Sequence, residues 1–370
     1  MKEKDVQTRI ESLFRNQVQK DERVKNAYLL VDSDKLNIHL NAAAGTTDGS
    51  KAHIGQPNHL ASVGKLFTAA LIGILHERRQ LDYDDPVVRY LDADLMKGLH
   101  IYRGKDYSDQ ITIGQLLMQT SGLNDVFYHL WKKKIADPDF RTTPRDAIIW
   151  GKNNLEPKAV PGRRHFYTDT NYYLLGLIIE SITKKGFHEV MHDQIFNPLG
   201  MRHAWLHGLS KPEIESEYPT ARLYIKGCDL LSISNIHEID YAGGSVIAPL
   251  TDFLTFMRAL VNHRIVKKET LDKMIGDDVS MGFPSLAFNY GYSVWKTRTI
   301  PLILPRKYYC WGCVGVTGAF MFHHPGTESF IIGSFNDFSW RGKALDFMAG
   351  KVIKELLHHQ EKKGIRTLSM

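Results

Sequence analysis

Between His59 and Leu75 the chain reads His-Leu-Ala-Ser-Val-Gly-Lys-Leu-Phe-Thr-Ala-Ala-Leu-Ile-Gly-Ile-Leu. Leu66, Phe67, Ala70, Leu71, Ile74 and Leu75 recur at helical spacing, and Leu60, Ala69 and Ile72 fill other faces. The pattern predicts a helix buried nearly all round, which needs packing partners on every side. Ser62 and Lys65, three apart, share one face at its start. A hydroxyl and an amine pinned in a buried helix serve solubility badly and chemistry well. A desolvated Lys can lose its proton and activate a neighbouring Ser. S-x-x-K is a common tetrapeptide, and the plain alternative is a Ser helix cap beside a snorkelling Lys.

With 370 residues, the chain can bury one large core or two. The formal charge of +6 is scattered, and runs such as Lys132-Lys133-Lys134 are short. No basic stripe or nucleic-acid motif emerges, which argues against nucleic acid as a partner. Residues Met1 to Asp5 are polar and lead into Val6, Ile10, Leu13, Phe14 and Val18, an amphipathic helix. That start lacks the apolar core of a signal peptide, and no stretch is long enough for a membrane span. Three Cys residues do not make a disulfide-stapled scaffold. Together these features predict a cytoplasmic protein.

In chain order, Ala27 to Val31 and Leu36 to Leu40 read as strands joined by a turn at Ser33-Asp34. From Ser62 to about Thr270 the pattern is mostly helical, with apolar segments at 112–118, 171–183 and 252–261. Beyond Gly282 it changes: 290–297, 319–323 and 329–335 are short, aromatic and β-branched, and predict strands. Ala344, Leu345, Met348, Val352, Ile353 and Leu356 form a closing amphipathic helix. The expected class is α+β: an antiparallel sheet built from both termini and flanked by helices, plus an inserted, mostly helical domain. The expected division is 1–61 with 280–370 for the sheet part and 62–279 for the helical part. The active site then lies in the cleft between them.

Read together, these pieces resemble the serine β-lactamase and penicillin-binding protein superfamily, in its class C-like branch of esterases, D-amino-acid peptidases and β-lactamases. The resemblance spans roughly Ala27 to Leu357. Ser62-Val63-Gly64-Lys65 stands as the nucleophile motif. Leu116 to Leu123 is similar to L-L-x-H-T-S-G-L, with Gln119 in place of His. Tyr167-Thr168-Asp169 is similar to Y-x-N, with Asp169 in place of Asn. Gly312 to Gly318 stands where the family has G-H-T-G-x-T-G, and Pro198 to Met201 and Gly243-Gly244-Ser245 are further landmarks.

The resemblance implies Ser62 as nucleophile, with Lys65 and Tyr167 sharing the base role. It implies an oxyanion hole from the backbone N–H groups of Ser62 and Val316, and a substrate pocket lined by Gln119, Asp169, Cys313, Val314 and Gly315. A carboxylate at Asp169 favours the ammonium form of Lys65 and moves the base role toward Tyr167. Cys313-Val314 replaces the pair that binds a substrate carboxylate in the family, which points to an uncharged ester or amide and a poor β-lactamase.

Three motifs compete with this reading. His188-Glu189-Val190-Met191-His192 fits the H-E-x-x-H zinc signature, with Glu213, Glu215 or Glu217 as a third ligand. It stands on the family helix that leads into Pro198. Cys310-Trp311-Gly312-Cys313, followed by His323-His324, is a C-x-x-C that precedes a strand rather than a helix. Gly243-Gly244-Ser245 reads as a turn set by backbone freedom. The expected protein is a serine hydrolase with no metal or organic cofactor, acting on a small-molecule ester, amide or peptide. The rival is a non-catalytic relative that keeps the fold and binds a peptide or wall fragment. Oligomeric state leaves no mark in the sequence.

Overall fold

The computed structural model describes residues 5–137, 139–233, 235–283, 285–300 and 305–364. The polar lead at residues 1–4 lies outside them. Among the described residues, nine antiparallel strands form the main sheet, in the order 279–280, 288–290, 295–297, 311–315, 319–324, 329–334, 26–33, 38–47 and 50–51. Strands from the two ends of the chain meet inside it, where Asn26–Ser33 pairs with Ser329–Ser334 and Leu30 stands opposite Ile332. Val279–Ser280 is already an edge strand, so the second set of strands begins one residue before the expected boundary.

Strand alternation divides the core into two layers. Ala27, Leu29, Val31, Phe320, Phe322 and Ile331 pack under Val6–Lys20 and the closing helix from Lys343 to Lys362. Tyr28, Leu30, Trp311, Cys313, Met321 and Ile332 face the other way, toward a cluster of buried residues drawn mostly from between Leu60 and Val294. Gly64–Glu77 is the central helix of that second layer, with residues 64 to 75 all buried. Phe67 there stacks on Phe256 of the helix Leu250–Val261, with ring centroids 3.6 Å apart.

Three local expectations change. The stretch 290–297 is a hairpin rather than one strand: Phe288–Tyr290 turns at Gly291 to Val294 into Trp295–Thr297. Gly291 N–H donates to Val294 O at 2.7 Å, and Ser293 sits at φ +62. The C-x-x-C does not precede a strand, because Trp311–Gly315 is itself one. Cys310 and Cys313 therefore fall in opposite layers, which removes them as a shared redox or metal site. Gly243 and Gly244 end a short helix, Tyr241–Gly244, with ordinary negative φ, so space rather than turn geometry requires them there. Among the described residues, no helix is long and apolar enough to cross a membrane.

A small sheet positions the start of the central helix. Asn58–His59 pairs with Val246–Ala248, which pairs in turn with Trp205–Leu206. The chain then passes through a tight 3-10 turn, Ala61–Val63, before the helix proper begins at Gly64.

Candidate active site

Ser62 lies in the middle of that turn, one residue after Ala61, which has φ +49. A residue with a Cβ enters this region at a cost of about 1–2 kcal/mol, so neighbours must hold it. His59 supplies the hold. Its Nδ1 accepts the Ala61 N–H at 3.1 Å, and its Nε2 meets Asp240 Oδ2 at 2.5 Å. Accepting at Nδ1 fixes the proton on Nε2, where the carboxylate takes it. Gly244 closes the other side: a Cβ there would stand 2.7 Å from Asp240 Oδ1 and 2.8 Å from Ala61 O.

Lys65 is completely buried one helical turn from Ser62. Its ammonium has three hydrogens and three acceptors: Ser62 Oγ at 3.0 Å, Gly243 O at 2.7 Å, and Asp169 Oδ1 in a close ion pair. Desolvation pulls the Lys65 pKa down, but the Asp169 charge, aided by Tyr172 and Cys313, outweighs it and holds the group above its ordinary value. The amine rests as a cation. Gly243 also has to be glycine, because a Cβ would come 2.9 Å from Asp169 Oδ1.

Tyr167 shares a hydrogen bond with Ser62, and Lys65 Nζ lies 5.2 Å from its ring centroid. Burial raises the phenol well above its ordinary value, with Asp169 and Cys313 adding to it, while the hydrogen bond from Ser62 opposes the shift. At rest the pair is a cationic Lys and a neutral phenol.

The other expected residues separate. Asp169 is in the site, at the head of the helix Thr170–Thr183. Cys313 is fully buried against the nucleophile turn, its thiol donating to Ser62 O at 3.2 Å. Burial pushes that thiol up to about 12 despite Lys65 nearby. Gly315 brings the strand edge against the turn, since a Cβ would stand 2.2 Å from Leu60 O. Val316 follows directly and lines a hollow together with Ala61. Val314 packs toward the terminal helices on the far side of the strand and does not line the cleft. Gln119 is engaged within the fold through its side-chain oxygen. It is fully buried at φ +60, its Oε1 accepting Thr168 N–H at 3.0 Å and Asn171 Nδ2 at 2.7 Å. It braces the segment that carries Tyr167.

The zinc alternative loses its ligands to ordinary tasks. Glu189 Oε2 caps its own helix through Gly186 N–H at 2.7 Å, and His192 Nε2 meets Ser210 Oγ at 3.0 Å. Among the described residues neither His188 nor His192 belongs to a group of three possible ligands. His59, His207 and Asp240 do form such a group. Yet His59 Nδ1 accepts a backbone N–H, where a metal-ligating histidine donates from its second nitrogen.

Sequence reasoning missed three groups. Gly243 O became visible only with the fold. The His59–Asp240 pair joins residues 181 positions apart. Asp125 lies behind Asp169, its Oδ1 accepting the Asp169 N–H at 2.9 Å. Burial, with Asp169 beside it, raises that carboxyl to about 7. Only its position two residues after Leu123 hinted at a site role.

A family model described as Beta-lactamase matches residues 10–352. "Protein flp" of Staphylococcus aureus (strain MW2) is 30% identical over 203 residues, which cover 54% of this chain and 38% of that protein. This chain therefore spans well under two thirds of that relative's length. A D-stereospecific amidohydrolase from Streptomyces sp. superposes with TM-score 0.73 at 24% identity, covering 92% of this chain and 96% of that one. D-amino acid amidase from Ochrobactrum anthropi SV3, complexed with L-phenylalanine amide, gives TM-score 0.75 at 19% identity, covering 98% and 100%.

Proposed function

Because the chain belongs to the β-lactamase family, we propose that it is a serine hydrolase that forms an acyl-enzyme on Ser62 from an uncharged ester or amide. The observation that carries this is the saturation of Lys65. Its three N–H bonds point at Ser62 Oγ, Asp169 and Gly243 O, so it is an electrostatic anchor rather than a free base.

Tyr167 then relays protons. As Ser62 Oγ bonds to the substrate carbonyl carbon, its proton passes to the Tyr167 oxygen and the Tyr167 proton passes to the leaving group. The bond to the leaving group breaks, and an ester remains on Ser62. The phenol ends as it began, so its raised pKa is no obstacle. Water repeats the relay in the deacylation step, giving its proton to Tyr167 while Tyr167 returns one to Ser62. The Lys65 cation steadies the alkoxide that develops at Oγ, and the N–H groups of Ser62 and Val316 take the carbonyl oxyanion. No metal or organic cofactor enters.

Neither Cys313, a buried neutral thiol, nor Val314, facing away, offers a cation for a substrate carboxylate. Turnover of a short-chain aryl ester is therefore expected to exceed that of a chromogenic cephalosporin, and faster cephalosporin turnover would contradict it. Tyr167→Phe is expected to lower kcat by about 10²–10⁴-fold with little change in fold. The names of the two structural relatives, an amidohydrolase and an amidase, support an amide alongside the ester. The rival reading, a binding protein without turnover, draws on the resting forms of Lys65 and Tyr167. It predicts no covalent intermediate.

A further inference from the structure

Beside the nucleophile turn lies a hollow that the proton relay leaves unused. Its walls include Phe127, Leu223, Ile225, Leu231, Ile239 and Val316. Two of its boundary residues tie it to the reaction. Ala61 immediately precedes Ser62, and Val316 carries the N–H assigned to the oxyanion. The hollow therefore borders both the residue before the nucleophile and the residue whose N–H is assigned to the oxyanion, next to where the acyl substituent of a bound carbonyl would lie.

The polar groups at the hollow are already committed. His59 and Asp240 bond each other at 2.5 Å, and no Lys or Arg lines the walls. Burial pulls the third polar residue, His207, down to about 4, so it is neutral near pH 7. An acyl group ending in a carboxylate would lose its water, meet no cation and face the Asp240 charge. The space is about 40 Å³. That exceeds the roughly 10–15 Å³ a single water needs and suits a small substituent rather than a long chain.

Resting on the hydrolase reading, we infer that this hollow is the acyl pocket, and that it selects a short, uncharged aliphatic acyl group of butyryl size. Leu231, half-buried at the wall, and Ile239, fully buried, set its length.

The test compares kcat/KM for the p-nitrophenyl esters of acetate, butyrate, octanoate and succinate (the half-ester). Burying two more methylenes is expected to favour butyrate over acetate roughly tenfold, with octanoate below butyrate and the half-succinate below acetate. Leu231→Trp, which fills the hollow, should bring the butyrate-to-acetate ratio near one. Ile239→Ala, which deepens it, should move the optimum to longer chains. In parallel, NMR titration of the Ser62→Ala protein compares butyramide with succinamate, a readout that needs no turnover. Butyramide binding that is lost in the Leu231→Trp, Ser62→Ala double variant supports the pocket even if no ester is turned over, in which case the hydrolase reading alone fails. Ester turnover with a flat chain-length profile, or with the half-succinate preferred, overturns the pocket and leaves the hydrolase reading intact. No binding preference and no turnover overturns both.

Discussion

Ala61 shows at residue scale how a strained backbone is made to serve a side chain. Its left-handed φ directs the Ser62 hydroxyl, and the strain is offset by one hydrogen bond to His59 Nδ1. An Asn amide oxygen can stand where Nδ1 stands, whereas a Gln reaches only the Nε2 position. His59→Asn should keep Ser62 reactive within a few-fold, while His59→Gln should slow its acylation on the order of 10²-fold. Acylation kinetics and the exchange rate of the Ala61 amide check this together. Asp125 supports a second prediction. Its carboxyl is raised to about 7 in the folded protein, above the ordinary carboxylate value of 3.8. A raised acid binds its proton more tightly when folded, so its contribution to stability falls as pH rises from about 4 to about 7 and is level beyond. Asp125→Asn keeps the acceptor for the Asp169 N–H and loses the titration. Melting temperature measured across that range should decline less in the variant than in the parent. Ser62, Lys65, Tyr167 and Asp169 were legible in the sequence because their motifs are local. Asp125, His59 and Asp240 were not, because what defines them is a partner brought close by folding.

Among elements, the two helices at the nucleophile meet backbone to backbone. A Cβ on Gly64 would stand 2.9 Å from Gly244 Cα, and one on Gly244 would press on Ala61 O and Asp240 Oδ1. Gly244→Ala is expected to cost about 1–3 kcal/mol in chemical unfolding. It should slow Ser62 acylation as well, because the displaced atoms are those that hold the turn. The helices themselves were readable: apolar spacing located Val6–Lys20, Gly64–Glu77, Thr170–Thr183 and Leu250–Val261 to within a few residues. Periodicity failed where side-chain type and backbone disagree. Tyr290 to Thr297 is rich in aromatic and β-branched residues, so it reads as one strand, yet Gly291 and Ser293 turn it. Val314 was misplaced for a related reason. Its neighbour Cys313 faces Ser62, and strand alternation sends Val314 to the other layer.

In the whole molecule, the sheet separates a layer that carries the chemistry from one that closes the fold. Phe14 belongs to the second, packed against Phe335 and Phe347 with ring centroids 6.0 and 6.5 Å away. Phe14→Ala should cost about 3–5 kcal/mol of stability and leave the acylation rate of the folded protein unchanged, a separation that denaturation and kinetics can resolve. Strands at both ends around a helical middle were enough to anticipate a sheet closed by the two termini. The pairing of Leu30 with Ile332 was not in the sequence, because register is set by contacts across three hundred residues. Those contacts bring Cys313 and Val316 on the strand side up to Ser62, and the account of function depends on that meeting. Its most direct test is intact-mass analysis after exposure to a fluorophosphonate, with peptide mapping of the adduct. The account predicts a single adduct on Ser62 that is absent from a folded Ser62→Ala protein. An unmodified wild-type protein, or equal modification of the two, would contradict it.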